Sequence, residues 1–91
     1  MIAPPKTLRA ARELLGMKQA EVAEAAGLSR STIQRLETGR RDWPHGSVLL
    51  QRFYEQRGIL FAQPREGNGW GVFDNSECAQ ADQNRQIFDK P

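Results

Sequence analysis

The chain has 91 residues, 38% of them apolar and 26% charged, with a formal net charge of +2. That is enough for one small domain and too little for a second core or a large catalytic fold. Only about 60 to 65% of the extended surface is hidden in a domain this short, so a ligand or a second subunit would help to hold it. No apolar run is long enough to span a membrane, and only Ile2-Ala3 precedes Pro4-Pro5, which makes no signal-peptide core. The chain is therefore expected inside the cell. One cysteine, Cys78, and one histidine, His45, exclude an internal disulfide and an ordinary zinc site, and no metal or cofactor is expected. Residues 1–41 carry eight basic and four acidic side chains, against five basic and seven acidic in residues 42–91. A polyanion would be held by the first half.

After a short arm at 1–6, Thr7 is placed to cap a helix with Leu8, Ala11, Leu14 and Leu15 as its apolar stripe, ended by Gly16. A two-turn helix over Gln19 to Ala26 puts Val22, Ala23 and Ala26 on one face and leaves Glu21 and Glu24 to solvent. Gly27 supplies a turn in which positive φ is cheap. Ser29 is a natural cap for Arg30 to Glu37, whose apolar members Ile33 and Leu36 point inward and whose remaining residues are almost all polar. Such a helix is mostly exposed. Gly39 ends it, and Arg40-Arg41-Asp42-Trp43-Pro44 leads to a fourth helix, with Pro44 in its first turn and Val48, Leu49 and Phe53, joined by Leu50 and Tyr54, as packing candidates.

At Gly58 the composition changes. Ile59 and Phe61 fall in one short bulky segment and Trp70, Val72 and Phe73 in another, which predicts a small β-hairpin over 58–73 with a connection longer than a two-residue turn. Two such strands need helix 4 or another subunit to cover an apolar face. Residues 74–91 read as a polar tail with only Ile87 and Phe88 as late anchors, which admits both a mobile tail and a short docked helix. The expected fold is thus mainly α, a compact four-helix core over 1–57, followed by the hairpin at 58–73 and the tail at 74–91.

The run LRAARELLGMKQAEVAEAAGLSRSTIQRLETGRR, residues 8–41, resembles the Cro/C1-type helix-turn-helix family, also called the XRE family, of bacterial and phage transcription regulators. The resemblance is carried by Arg12, Leu15-Gly16, Gln19, Val22-Ala23, Gly27-Leu28-Ser29, Thr32-Ile33, Leu36-Glu37 and Gly39, in order and at fixed spacing. It implies a cytoplasmic, nucleoid-associated protein that binds double-stranded DNA. A helix that enters the major groove presents its early side chains to base edges, while a preceding helix lies across the phosphates. Carried over by position, Arg30, Ser31 and Arg35 come first as base readers, and Gln34 ranks fourth, toward the groove wall or solvent. Arg can pair with guanine and Gln with adenine, each good pair discriminating by about 1 to 3 kcal/mol. Lys18, Gln19, Ser29, Thr38, Arg40 and Arg41 are the implied phosphate contacts.

The resemblance further implies an ion pair between Arg12 and Glu37 that ties the first helix to the end of the reader; contact of Arg12 with the DNA backbone is the alternative use. Lys18 departs from the family, which favours Ser, Thr or Asn at this cap, because an ammonium cannot accept an N–H bond. The loss would be offset by phosphate.

No catalytic machinery is read. His45 has no activated nucleophile near it and is expected at a surface or cap. Cys78, in a polar stretch, reads as a free surface thiol. The GNGWG run is too short, and lacks the following helix, for a phosphate loop. Ile59, Phe61, Trp70, Val72 and Phe73 are candidates for a homodimer interface, though packing within one chain would use the same side chains. The sequence thus points to a non-enzymatic, sequence-specific DNA-binding regulator, most simply a repressor acting as a dimer on an inverted-repeat operator. The alternative is a protein-interaction module, an anti-activator or antitoxin-like chain that sequesters a protein partner through its carboxyl-terminal half.

Overall fold

In a computed structural model the described residues are 2–39 and 44–76, with the side chains of Pro44 and His45 excepted. The expectations placed on Arg40, Arg41, Trp43, His45, Cys78, Ile87 and Phe88 lie outside what is described. Four helices, α1 (Pro5–Leu14), α2 (Gln19–Ala26), α3 (Arg30–Thr38) and α4 (Pro44–Gln56), precede two antiparallel strands, β1 (Ile59–Ala62) and β2 (Gly71–Asp74). The result is a compact four-helix bundle followed by a β-hairpin. The bundle packs α3 against α1 and α2, and the hairpin lies across it with β2 on α1 and β1 on α4.

Helix α1 begins before Thr7, which corrects the expected arm at 1–6. Pro5 occupies the first turn, where its missing N–H is no loss and its fixed φ is already helical. Thr7 is inside the helix and buried, and its hydroxyl donates to the Pro4 carbonyl at 2.6 Å. The inward stripe is Leu8 and Ala11, with Leu15 packed partly against the core. Leu14, expected in that stripe, is 47% exposed at the end of the helix. Ahead of α1, the Ala3 N–H donates to Gln51 Oε1 at 2.8 Å, so the arm is fastened to α4.

The core gathers Leu8 and Ala11 from α1, Val22 and Ala23 from α2, Ile33 and Leu36 from α3, Leu50 and Tyr54 from α4, and Ile59 and Phe61 from β1. Leu8, Val22, Ile33, Leu50 and Tyr54 are the largest wholly enclosed side chains, and each such aliphatic contributes about 1.5 to 3 kcal/mol. In α4 the buried row is Leu50 and Tyr54, one turn apart, while Leu49 is 44% exposed and Phe53 half-buried. That reverses the expected order of packing, because Val48-Leu49-Leu50 offers an apolar residue to every direction and the tertiary fit selects Leu50.

The hairpin is tighter than its composition suggests. Ile59 lies opposite Asp74, Leu60 opposite Phe73, Phe61 opposite Val72 and Ala62 opposite Gly71, and Arg65 then pairs with Asn68. All five pairs share one register. The tip is thus a two-residue turn, Glu66-Gly67, both at positive φ (50° and 85°), closed by reciprocal Arg65 and Asn68 backbone bonds of 3.1 and 3.0 Å. Such a turn matches the twist of the strands. At the other end, Gly58 (φ 97°) lets the chain after β2 pass close by; a Cβ there would lie 2.8 Å from the backbone of Ser76.

Candidate nucleic-acid interface

Helices α2 and α3 are joined by three residues, Gly27-Leu28-Ser29. Gly27 closes α2 in the left-handed region at φ 74°, its N–H bonded to the Ala23 carbonyl. Ser29 opens α3: its hydroxyl accepts from the Thr32 N–H at 3.1 Å and also meets the hydroxyls of Thr32 (2.7 Å) and Ser31 (3.2 Å). Ser, at a cap, satisfies a first-turn donor that the helix itself cannot. Gly39 ends α3 in the same left-handed manner, its N–H bonded to the Arg35 carbonyl.

One face of α3 is committed to the core and the opposite face is exposed. Ile33 and Leu36 are buried, whereas Arg30, Ser31, Gln34, Arg35 and Thr38 are exposed. Ser31, Gln34, Arg35 and Thr38 line one shallow depression along the outward face. Arg30 lines a second, shared with Arg12 and with Lys18, Gln19 and Ala20 at the start of α2. The structure thus separates Arg30 from the other three sequence-derived base readers and brings it beside Lys18 and Gln19. Arg40 and Arg41 are not among the described residues.

The two helices take their orientation from Glu37. Its carboxylate accepts from Arg12 Nε at 2.7 Å and Nη2 at 3.1 Å, and from Gln19 Nε2 at 3.1 Å. The third guanidinium nitrogen, Nη1, donates to the Met17 carbonyl at 2.9 Å, in the turn between α1 and α2. The Arg12 and Glu37 side chains are only 14% and 3% exposed. The Glu37 hydrogen bond raises the Arg12 pKa further above its ordinary value against the opposing effect of burial, so the guanidinium stays charged. A two-pronged contact of this kind fixes both the distance and the angle between its carriers. Nothing local in the sequence signals that Gln19 joins this cluster, since its partner is eighteen positions away.

Lys18 stands at the N-cap of α2 with extended backbone, and its ammonium, having no lone pair, accepts nothing there. Only the reciprocal half of a capping box is formed, with the Lys18 N–H donating to Glu21 Oε1 at 2.7 Å. The next N–H groups of α2 are left without a side-chain acceptor, next to two cations, Lys18 and Arg30, that have no ion-pair partner among the described residues. Below the interface, Tyr54 is enclosed, and its hydroxyl has no hydrogen-bond partner among the described residues. Burial pushes its pKa up, and the charge of Glu37 pushes in the same direction.

Among the dimer candidates, Ile59 and Phe61 face the chain's own core and Val72 and Trp70 are half-buried, so the first two are already covered. Phe73 is 56% exposed, opposite Leu60 at 53% on the outer face of the hairpin. Among the described residues no group of three His, Cys, Asp or Glu side chains could hold a metal ion, and no helix is long and apolar enough to cross a membrane.

The family model for helix-turn-helix domains matches residues 8–51. Domains of that family are non-catalytic regulatory modules, and the match is consistent with DNA-binding transcriptional regulation in general. No curated protein matches the chain.

Proposed function

We propose that the helix-turn-helix domain at residues 8–51 makes this chain a sequence-specific regulator that binds double-stranded DNA, and most simply a repressor acting as a homodimer on an inverted-repeat operator. The observation that carries this reading is the division of α3 into an inward face anchored by Ile33 and Leu36 and a polar outward face that bonds to no other helix or strand among the described residues. A rigidly seated helix with free donors is what major-groove recognition needs. Lys18, Gln19 and Ser29, at the starts of α2 and α3, hold phosphates and set the register, and Arg40 and Arg41 extend that grip beyond α3. Repression follows from occupancy, since a protein seated on an operator excludes polymerase or an activator from the same duplex.

The hairpin at 58–73 serves as the dimerisation element. Its outer face supports this: Leu60 and Phe73 are cross-strand partners, and both are more than half exposed. Two linked readers place α3 in successive major grooves about one helical turn apart and multiply weak contacts. The alternative, a module that sequesters a protein partner, would draw on the same exposed pair without using α3.

Selection from a random duplex pool at two salt concentrations, run alongside solution mass, tests the reading. A palindromic consensus bound by a dimer is the expected result, with Phe73→Ser shifting the mass toward the monomer and weakening operator binding. If no sequence is enriched and binding vanishes with modest salt, the regulator reading is overturned.

A further inference from the structure

We infer that the segment after the hairpin, residues 77–91, docks on an open flank of α4, with Ile87 and Phe88 over Leu49 and Phe53 and with Glu77 and Asp82 against Arg57 and Arg52. The flank is set by helical spacing: Leu49, Arg52, Phe53 and Gln56 fall on one side of α4, turned away from the buried row Leu50 and Tyr54. Leu49 is 44% exposed and Phe53 half-buried, so two large apolar side chains are left open beside the core. The Arg57 guanidinium lies over the Phe53 ring, 4.6 Å from its centroid, and neither Arg52 nor Arg57 has an ion-pair partner among the described residues. The carboxylate of α4, Glu55, stands elsewhere around the helix and accepts from Gln51 at 3.3 Å. The flank is thus apolar with a basic rim, and it fits a segment that is apolar and acidic.

The path of the chain after β2 selects the occupant. The Asn75 N–H donates to the Gly58 carbonyl at 2.8 Å, and the Ser76 N–H and hydroxyl both donate to Asp74 Oδ1, at 2.9 and 2.6 Å. Ser76 is thereby held beside Gly58, two positions past the end of α4, so residues 77–91 leave the fold at the Arg57 end of the flank. From that exit the order of residues matches on both sides. Glu77 and Asp82 come first, with no basic residue before Arg85, and Ile87-Phe88, the one pair of large apolar residues in the segment, come after them; on α4, Arg57 and Arg52 come before Leu49. The reach suffices in any backbone conformation: Ser76 to Ile87 covers about 16 Å even at helical rise, against about 12 Å from Arg57 back to Leu49. Covalent linkage supplies a high effective concentration, so weak contacts are enough. The groove between α1 and β2, walled by Leu14, Trp70 and Val72, lies at the far end of β2 from the exit and sets Lys6 against Glu13, which gives an acidic stretch no net attraction. A tail seated on α4 leaves Leu60 and Phe73, on the hairpin, open to a second subunit.

The test uses the full chain with its single cysteine moved, Cys78→Ser with Asp89→Cys, carrying a nitroxide at position 89, and reads paramagnetic broadening of the backbone amide signals in isotope-labelled protein. Broadening should be strongest between Leu49 and Phe53. It should be lost with Ile87→Ser plus Phe88→Ser, weakened by Arg52→Glu, and regained when Asp82→Arg is added to Arg52→Glu, each variant keeping an unchanged melting transition. Broadening centred on the α1–β2 groove or on the hairpin, or spread without a maximum, overturns the proposal, as does broadening at α4 that survives loss of Ile87 and Phe88 or that the charge exchange does not restore. Spin-labelled chain mixed with isotope-labelled chain free of the nitroxide should show no broadening at α4; if it does, a second copy occupies the flank and the proposal is overturned. None of these readings involves DNA, so the regulator reading stands or falls separately.

Discussion

Glu37 and Arg12 lie 25 positions apart and meet through both carboxylate oxygens, at 2.7 and 3.1 Å, with only 3% of the Glu37 side chain exposed. Two charges taken this far from water are held by each other and by Gln19 and the Met17 carbonyl, so loss of one partner strands the other. Arg12→Ala is expected to cost about 3 to 5 kcal/mol, which is most of the stability of a domain this small. Replacing both residues by apolar ones, Arg12→Met with Glu37→Leu, should cost far less than either truncation, because no buried charge is then left unpaired. Urea denaturation of the two singles and the double measures the difference.

Lys18 supplies a second prediction, in which stability and binding move in opposite directions. Lys18→Ser introduces the acceptor that the first turn of α2 lacks and should raise unfolding free energy by about 0.5 to 2 kcal/mol. The same change removes a cation from the seat shared with Arg30, so duplex affinity should fall and its salt slope decrease by about one phosphate. A thermal melt and a salt titration of binding on one preparation give both readings.

Tyr54 links stability to alkaline pH. Burial raises its pKa in the folded chain, so the unfolded state ionises first, near the ordinary value of about 10. Whatever the neutral phenol contributes is therefore fully present below pH 10 and is lost as pH rises toward the folded value. Tyr54→Phe deletes a buried hydroxyl without a partner, and leaving such a group unsatisfied costs about 1 to 3 kcal/mol. The variant should match or exceed the parent at pH 7 and lose less stability between pH 9 and pH 11, measured by chemical denaturation across that range.

The tip of the hairpin offers a gain. Glu66 holds a positive φ of 50° without the tolerance of Gly or Asn. Glu66→Asn restores the residue preferred in a two-residue turn of this kind and should stabilise the fold by a few tenths to about 1 kcal/mol. Glu66→Val should lower the melting temperature, since a β-branched side chain is still less suited to that conformation.

Much of the α2–α3 unit could be read from residues alone because its signals are local: Ser29 before a polar run, Gly27 and Gly39 at the ends, Ile33 and Leu36 at helical spacing. The rest depends on contacts that local sequence does not encode. The start of α1 is hidden because Pro5 reads as a breaker in isolation and as a first-turn residue only once the helix behind it is known. In α4, Leu50 and Tyr54 surpass Leu49 because β1 and α1 pack on that side. Glu66-Gly67 lacks the Asn-Gly signature, so the two-residue turn at the tip is hidden within a connection that reads only as longer than such a turn. At the interface, residue types distinguish donors from apolar anchors, but the separation of Arg30 from Ser31 and Arg35 depends on where α2 lies.

The outward strip of α3 is exposed and makes no hydrogen bond to another helix or strand among the described residues, whereas Glu37, two positions from Arg35, is tied to both α1 and α2. Exchange of Ser31, Gln34, Arg35 and Thr38 is therefore nearly free of any folding penalty, while the angle at which α3 is presented is not open to drift. On the proposed DNA-binding reading, a change of preferred duplex then needs only a few interchangeable side chains on an unaltered chassis.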